Sequence, residues 1–161
     1  MKLQDLLIEE LENEVALTEK FLKRIPKDKL DWRPHPKSMS LKQLGSHLAE
    51  IPSWVTGTMV QDEMSMDDYK PPVNETVDEM VKVMKAAAEK AKESLKVADS
   101  EFEKHWKMTQ GGKTLMEMPK YRVLRGMVLN QIPHHRAQLG VCLRLLDESV
   151  PASYGPSADE Q

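Results

Sequence analysis

This sequence predicts an all-α fold, a four-helix bundle with a small hairpin or irregular segment before the last helix. Three observations lead there. Four long stretches repeat apolar residues at helical spacing. Two of them open on a capping box, Ser40-x-x-Gln43 and Thr76-x-x-Glu79. The connections between them hold most of the helix-breaking prolines, and a Gly111-Gly112 pair interrupts the period before the last stretch.

With 161 residues, the chain reads as one domain over residues 1–161, large enough to bury a substantial core. Hydrophobic residues at 40% and charged residues at 30% suit a globular rather than a disordered chain. A net charge of −3, with both signs interspersed, lacks the basic footprint of a nucleic-acid partner. The single cysteine, Cys142, forms no internal disulfide and fits a reducing compartment. Acidic residues by Glu9 argue against a signal peptide, and no stretch nears the roughly 20 apolar residues of a bilayer span. No membrane partner is expected, and the expected location is cytoplasmic.

The first helix is expected from about Lys2 to Arg24, on Leu3, Leu7, Leu11, Leu17 and Phe21, until Ile25-Pro26 ends it. The proline-bearing stretch 27–39 reads as an ordered loop, with Trp32 turned toward the core and His35 on the surface. Ser40 then caps a helix running to about Met59, with Leu41, Leu44, Leu48, Ile51 and Val55 inward. His47 borders that stripe, and Pro52 is expected to bend the helix one turn later. Residues 61–74 read as a polar crossing loop. Thr76 caps a third helix expected to reach about His105, with alanines at 87, 88 and 91 favouring close approach of a neighbour. The segment 106–116 reads as a hairpin turning at Gly111-Gly112. Pro119 is expected to start the last helix, which runs to about Asp147.

That last helix carries the sharpest chemical signal. Steps of three and four from Tyr121 pass through Leu124, Val128, Gln131, His135, Gln138, Cys142 and Leu145. Polar residues in the middle of an inward seam need partners. Gln131 and His135 stand one turn apart, whereas His134 is rotated toward the flank, at the rim or within reach of Gln138. Helical bundles build metal sites from facing helices, and His47 is the candidate from the second helix. A hydrogen-bonded core network around Gln131, His135 and Gln138 is the competing reading. Pro133 is expected to kink the helix between Gln131 and His135 with the seam in register; a helix restarting at Pro133 is the alternative. Cys142 reads as a core residue. No catalytic residue is assigned.

The chain resembles the DinB/YfiT-like proteins over almost its whole length. The resemblance rests on 30–40 (LDWRPHPKSMS), Leu44-Gly45-Ser46-His47-Leu48-Ala49, His134-His135-Arg136-Ala137-Gln138-Leu139 and the tail 154–160 (YGPSADE). It implies a four-helix bundle, a homodimer, and a nickel or zinc ion held by three histidines. Carried onto this chain, those ligand positions are His47, Gln131 and His135, so one histidine is replaced by glutamine, and the motif's glycine is Ala137. The implied divalent ion is therefore held weakly or lost. Characterised relatives use the metal to activate a small-molecule thiol in transferase or isomerase reactions; others are grouped as metal-dependent hydrolases. The implied function is a metal-dependent enzyme, a thiol-dependent S-transferase or a hydrolase. The alternative is a catalytically inactive helical binding protein that has lost tight metal binding.

Overall fold

Leu7, Leu11, Phe21 and Leu22 line the inward face of α1 (Leu3–Leu22) in the computed structural model, which describes residues 2–161. They meet Leu41, Leu44, Leu48, Ile51 and Val55 of α2 (Leu41–Val60) and Met80, Met84, Ala91 and Leu95 of α3 (Val77–Leu95) in one core. The start of α2 is fixed locally: Gln43 N–H donates to Ser40 Oγ at 3.2 Å, and Ser40 N–H donates to Gln43 Oε1 at 2.9 Å. Thr76 and Glu79 cap α3 in the same way, each N–H bond being 3.2 Å. The close approach of α2 and α3 uses Gly45, where a Cβ would stand 2.6 Å from Met80 Sδ.

The chain is mostly helical, but it is not all-α. A three-stranded sheet of order β1-β2-β3 joins β1 (Glu63–Ser65), β2 (His105–Gln110) and β3 (Lys113–Pro119). β2 and β3 form the expected hairpin. Gln110 pairs with Lys113 across Gly111 (φ 56°) and Gly112 (φ 71°), the positive-φ pair that a tight two-residue turn requires. β1 lies inside the expected crossing loop and pairs in parallel with β2, Met64 opposite Met108. The third helix is also shorter than expected. It ends at Leu95, the chain turns through Lys96 (φ −76°, ψ 64°), and a five-residue α4 (Asp99–Glu103) follows, so His105 begins β2.

The last helix departs most from its expected register. A short α5 (Lys120–Val123) leads into a π-helical segment, Leu124–Leu129, and α6 (Gln131–Leu145) restarts after it. In the widened turn, Asn130 N–H donates to the carbonyl five residues back, Arg125 O, at 3.1 Å. One residue is thereby added to the helical repeat. The buried line becomes Leu124, Val128, Ile132, Arg136, Leu139 and Leu143, while Gln131 and His135 are half-buried on the flank. Tyr121, Gln138 and Leu145, expected inward, are exposed; Cys142 is buried as expected. The irregularity thus precedes Pro133 rather than sitting on it. Pro133 is the third residue of α6, in the first turn, where a missing N–H is tolerated.

Arg136, 2% exposed, is the main polar feature of the interior. Its Nη1 donates to Glu14 Oε2 at 2.6 Å and to Thr18 Oγ1 at 3.3 Å; its Nη2 donates to Tyr154 Oη at 2.8 Å and Ser153 Oγ at 3.2 Å. The Tyr154 hydroxyl donates to Glu14 Oε1, closing the network. The tail beyond it is strapped down by Asp159, which accepts from Arg144 and from Val150 N–H, and by Glu160, which accepts from Arg24 and from Ala152 N–H.

Two outcomes follow from this network and strap. Arg136→Ala strands the buried Glu14 carboxylate and is expected to cost about 3–5 kcal/mol in urea unfolding, a loss below ~1 kcal/mol contradicting it. The Arg144 ion pair and the Val150 N–H hold the Asp159 carboxyl below the ordinary carboxylate range. The folded chain therefore binds that proton less readily than the unfolded one. The strap is complete above pH about 4 and loosens as pH falls through the depressed folded value. A smaller hydrogen-exchange protection factor at Val150 in acid, already present at neutral pH in Asp159→Asn, checks this.

Candidate functional site

His47 and Glu50 lie three residues apart on α2, and Trp54 follows one helical turn after Glu50, so all three share one face. The restart of α6 turns His135 toward that face. The His47 and His135 rings meet edge-to-face, their centres 4.6 Å apart and their planes at 83°. Trp54 packs edge-on against the other partner, its ring centre 5.3 Å from that of His47. Two of the three expected ligand positions are thus brought together. Gln131 is half-buried one turn before His135 and makes no hydrogen bond to either ring among the described residues.

The histidines differ in their surroundings. His135 Nδ1 is 2.9 Å from Gln138 Oε1, and Gln138 Nε2 is 3.0 Å from His134 Nε2. An amide oxygen accepts, so His135 carries its proton on Nδ1 and leaves Nε2 as a lone-pair donor. Burial, opposed by the Gln138 bond and helped by the neighbouring His47 and His134, lowers the His135 pKa. His134 is exposed and bonded to Gln138, in the place expected for it. On the other side, His47 Nδ1 is 3.7 Å from Glu50 Oε2, which also accepts the Tyr69 hydroxyl at 2.9 Å.

A cavity of about 400 Å³ adjoins His47 between α2, the π segment and the sheet. The sheet supplies Met64, Trp106 and Met108, the last two on one face because strand side chains alternate. Met66 and Tyr69 enter from the segment after β1, and Met127 and Val128 from the π segment. His135 is not in the wall and meets the cavity through His47. A wider groove of about 760 Å³ along α1 and the last helix holds none of the histidines.

The donors suit a divalent ion only in part. Two imidazoles converge, and Gln138 orients one of them as outer-shell partners of ligating histidines do. No group of three His, Cys, Asp or Glu side chains is placed to hold a metal among the described residues. A third donor has to be the Gln131 amide, a weaker ligand, or a group on a substrate. The exposed His35 and His105 stand elsewhere: Lys37 N–H donates to His35 Nδ1 at 3.2 Å, and His105 Nδ1 lies 3.2 Å from Glu117. Cys142 is buried, and burial raises its thiol pKa, which disfavours the nucleophilic thiolate.

Sequence reasoning located His47, His135 and the Gln138–His134 contact, but not the cavity walls. Glu50 and Trp54 were detectable, since they recur at helical spacing after His47 on the same face. Tyr69 and Trp106 carried no such signal, because a loop and a strand bring them in. No helix among the described residues is long and apolar enough to cross a membrane.

Comparison with known proteins agrees with this architecture. A DinB-like protein from Bacillus cereus ATCC 10987 superposes with a TM-score of 0.70 at 22% identity, covering 92% of this chain and 95% of its own. A DinB-like protein from Bacillus subtilis gives a TM-score of 0.72 at 15% identity, covering 92% of this chain and 98% of its own. No curated protein matches the chain. The model of the DinB family matches residues 1–161, and the chain belongs to that family.

Proposed function

We propose that this protein is a small-molecule enzyme of the DinB family whose site is the His47–His135 pair and the adjoining cavity. A divalent ion, nickel or zinc, is anchored there by His47 and His135 and only weakly supported by Gln131. The observation that carries the reading is the pair itself: two imidazoles from different helices with ring centres 4.6 Å apart. The partial burial that lowers the His135 pKa also favours its role as a donor.

When bound, such an ion lowers the pKa of a coordinated thiol or water, which serves S-transfer or hydrolysis. Thiol transfer is the leading chemistry, since His47 and His135 would hold the ion with only the weak Gln131 amide beside them, and a small-molecule thiol would be the better donor. The chain's own part is positional. Gln138 sets the His135 tautomer, Glu50 faces the His47 Nδ1 edge, and the apolar cavity excludes water from a bound substrate.

One observation favours a second reading, a binding protein without catalysis. Gln138 bridges His134 and His135 at 3.0 and 2.9 Å, a hydrogen-bonded chain that needs no metal.

Metal content of purified, untagged protein separates the two. The enzyme reading expects zinc or nickel to bind in a form abolished by His47→Ala, and affinity to rise by about 10–100-fold in Gln131→His. Metal binding that survives His47→Ala overturns the assigned site. No measurable binding in the native protein, with full loading in Gln131→His, favours the non-catalytic reading.

A further inference from the structure

We propose that the cavity beside His47 accepts a ligand joining an apolar body to an ammonium group. The inference rests on reading that cavity as the substrate pocket. Its wall holds one carboxylate, Glu50, and no lysine or arginine among the described residues. Among the wall's side chains an anion finds no cationic partner beside Glu50, its only counter-charge being an ion held at His47, whereas an ammonium finds its counter-ion at Glu50 itself.

The aromatic residues point the same way. Trp54 from α2, Tyr69 from the loop and Trp106 from β2 line the cavity from three different elements. Ring faces attract cations, most strongly those of tryptophan, and the effect grows where water is excluded. The Tyr69 hydroxyl donates to Glu50 Oε2 at 2.9 Å, so the carboxylate is held by an aromatic residue of the same wall. Burial and then Glu50 itself raise the Tyr69 pKa, which keeps the phenol a neutral donor.

Two indole N–H groups next to the cavity are unpaired among the described residues. Trp106 is 4% exposed and its Nε1–H has no hydrogen-bond partner among the described residues; the buried Nε1–H of Trp54 has none either. Native proteins leave few buried donors unpaired, because each one costs free energy. Both indoles belong to the cavity wall, but their Nε1 atoms have almost no accessible area and face packed protein rather than the cavity, so the wall recognises a ligand through its rings and Glu50.

The test uses three probes of one shape: 4-phenylbutylamine, 4-phenylbutan-1-ol and 4-phenylbutanoate. Two of the three tryptophans line the cavity, so intrinsic fluorescence of the full chain reports occupancy. Titrations are run on chelator-treated and on zinc-loaded protein. The expected result is an amine affinity about tenfold above that of the alcohol in both preparations, with the carboxylate weakest in the chelator-treated protein. Glu50→Gln is expected to bring the amine down to the alcohol's level while leaving the alcohol within about twofold, which also shows an intact pocket. Equal binding of amine and alcohol, stronger binding of the carboxylate by the chelator-treated protein, or an amine preference that survives Glu50→Gln overturns the proposal and leaves the pocket assignment standing. Failure of all three probes to bind overturns both. An amine preference in a protein that binds no metal retains the proposal and removes the metal reading.

Discussion

The last helix makes one turn too wide, and much of the molecule depends on that extra residue. A regular helix from Lys120 to Leu145 would keep Gln131 and His135 on the buried line and leave Arg136 beside it. The π segment at Leu124–Leu129 advances the register by one position. Arg136 then points into the core and His135 moves to the flank, where α2 presents His47. π segments of this kind are known to accompany functional sites, since they re-aim side chains without breaking the helix.

The same shift has a structural counterpart. A guanidinium at 2% exposure is tolerable only with its charge matched and its donors occupied, and Glu14, Thr18, Ser153 and Tyr154 provide both. Two of those partners belong to the tail, which therefore closes over the interior ion pair. The cationic face of Arg136 also stands over the rings of Phe21 and Tyr154, at 5.9 and 5.3 Å. Register in the last helix, position of the tail and orientation of the site are one connected constraint.

What the sequence revealed follows from how local each determinant is. Capping boxes at Ser40 and Thr76 and the glycine turn at 111–112 are decided by a few adjacent residues, and the structure has all three. The end of the third helix was hidden because Ala98 and Phe102 prolong its apolar period beyond the break at Lys96. β1 was hidden because a three-residue strand of polar and mixed character owes its existence to the backbone of β2. The π turn leaves no mark in a periodicity built on 3.6 residues. For the site, spacing made His47 and His135 candidates but set His135 on the buried line, and the family resemblance joined the two; the structure brings their rings together from the flank. The cavity wall required the fold.

Four of the eleven methionines, Met64, Met66, Met108 and Met127, line the cavity beside His47. Unbranched thioethers re-pack at little cost, in contrast with the stiff rings and the fixed carboxylate among them. The wall is thus part template and part filler. For a ligand of the kind proposed, the wall's rigid members would select chemical groups while its pliant ones adjusted to bulk, without rearranging the helices.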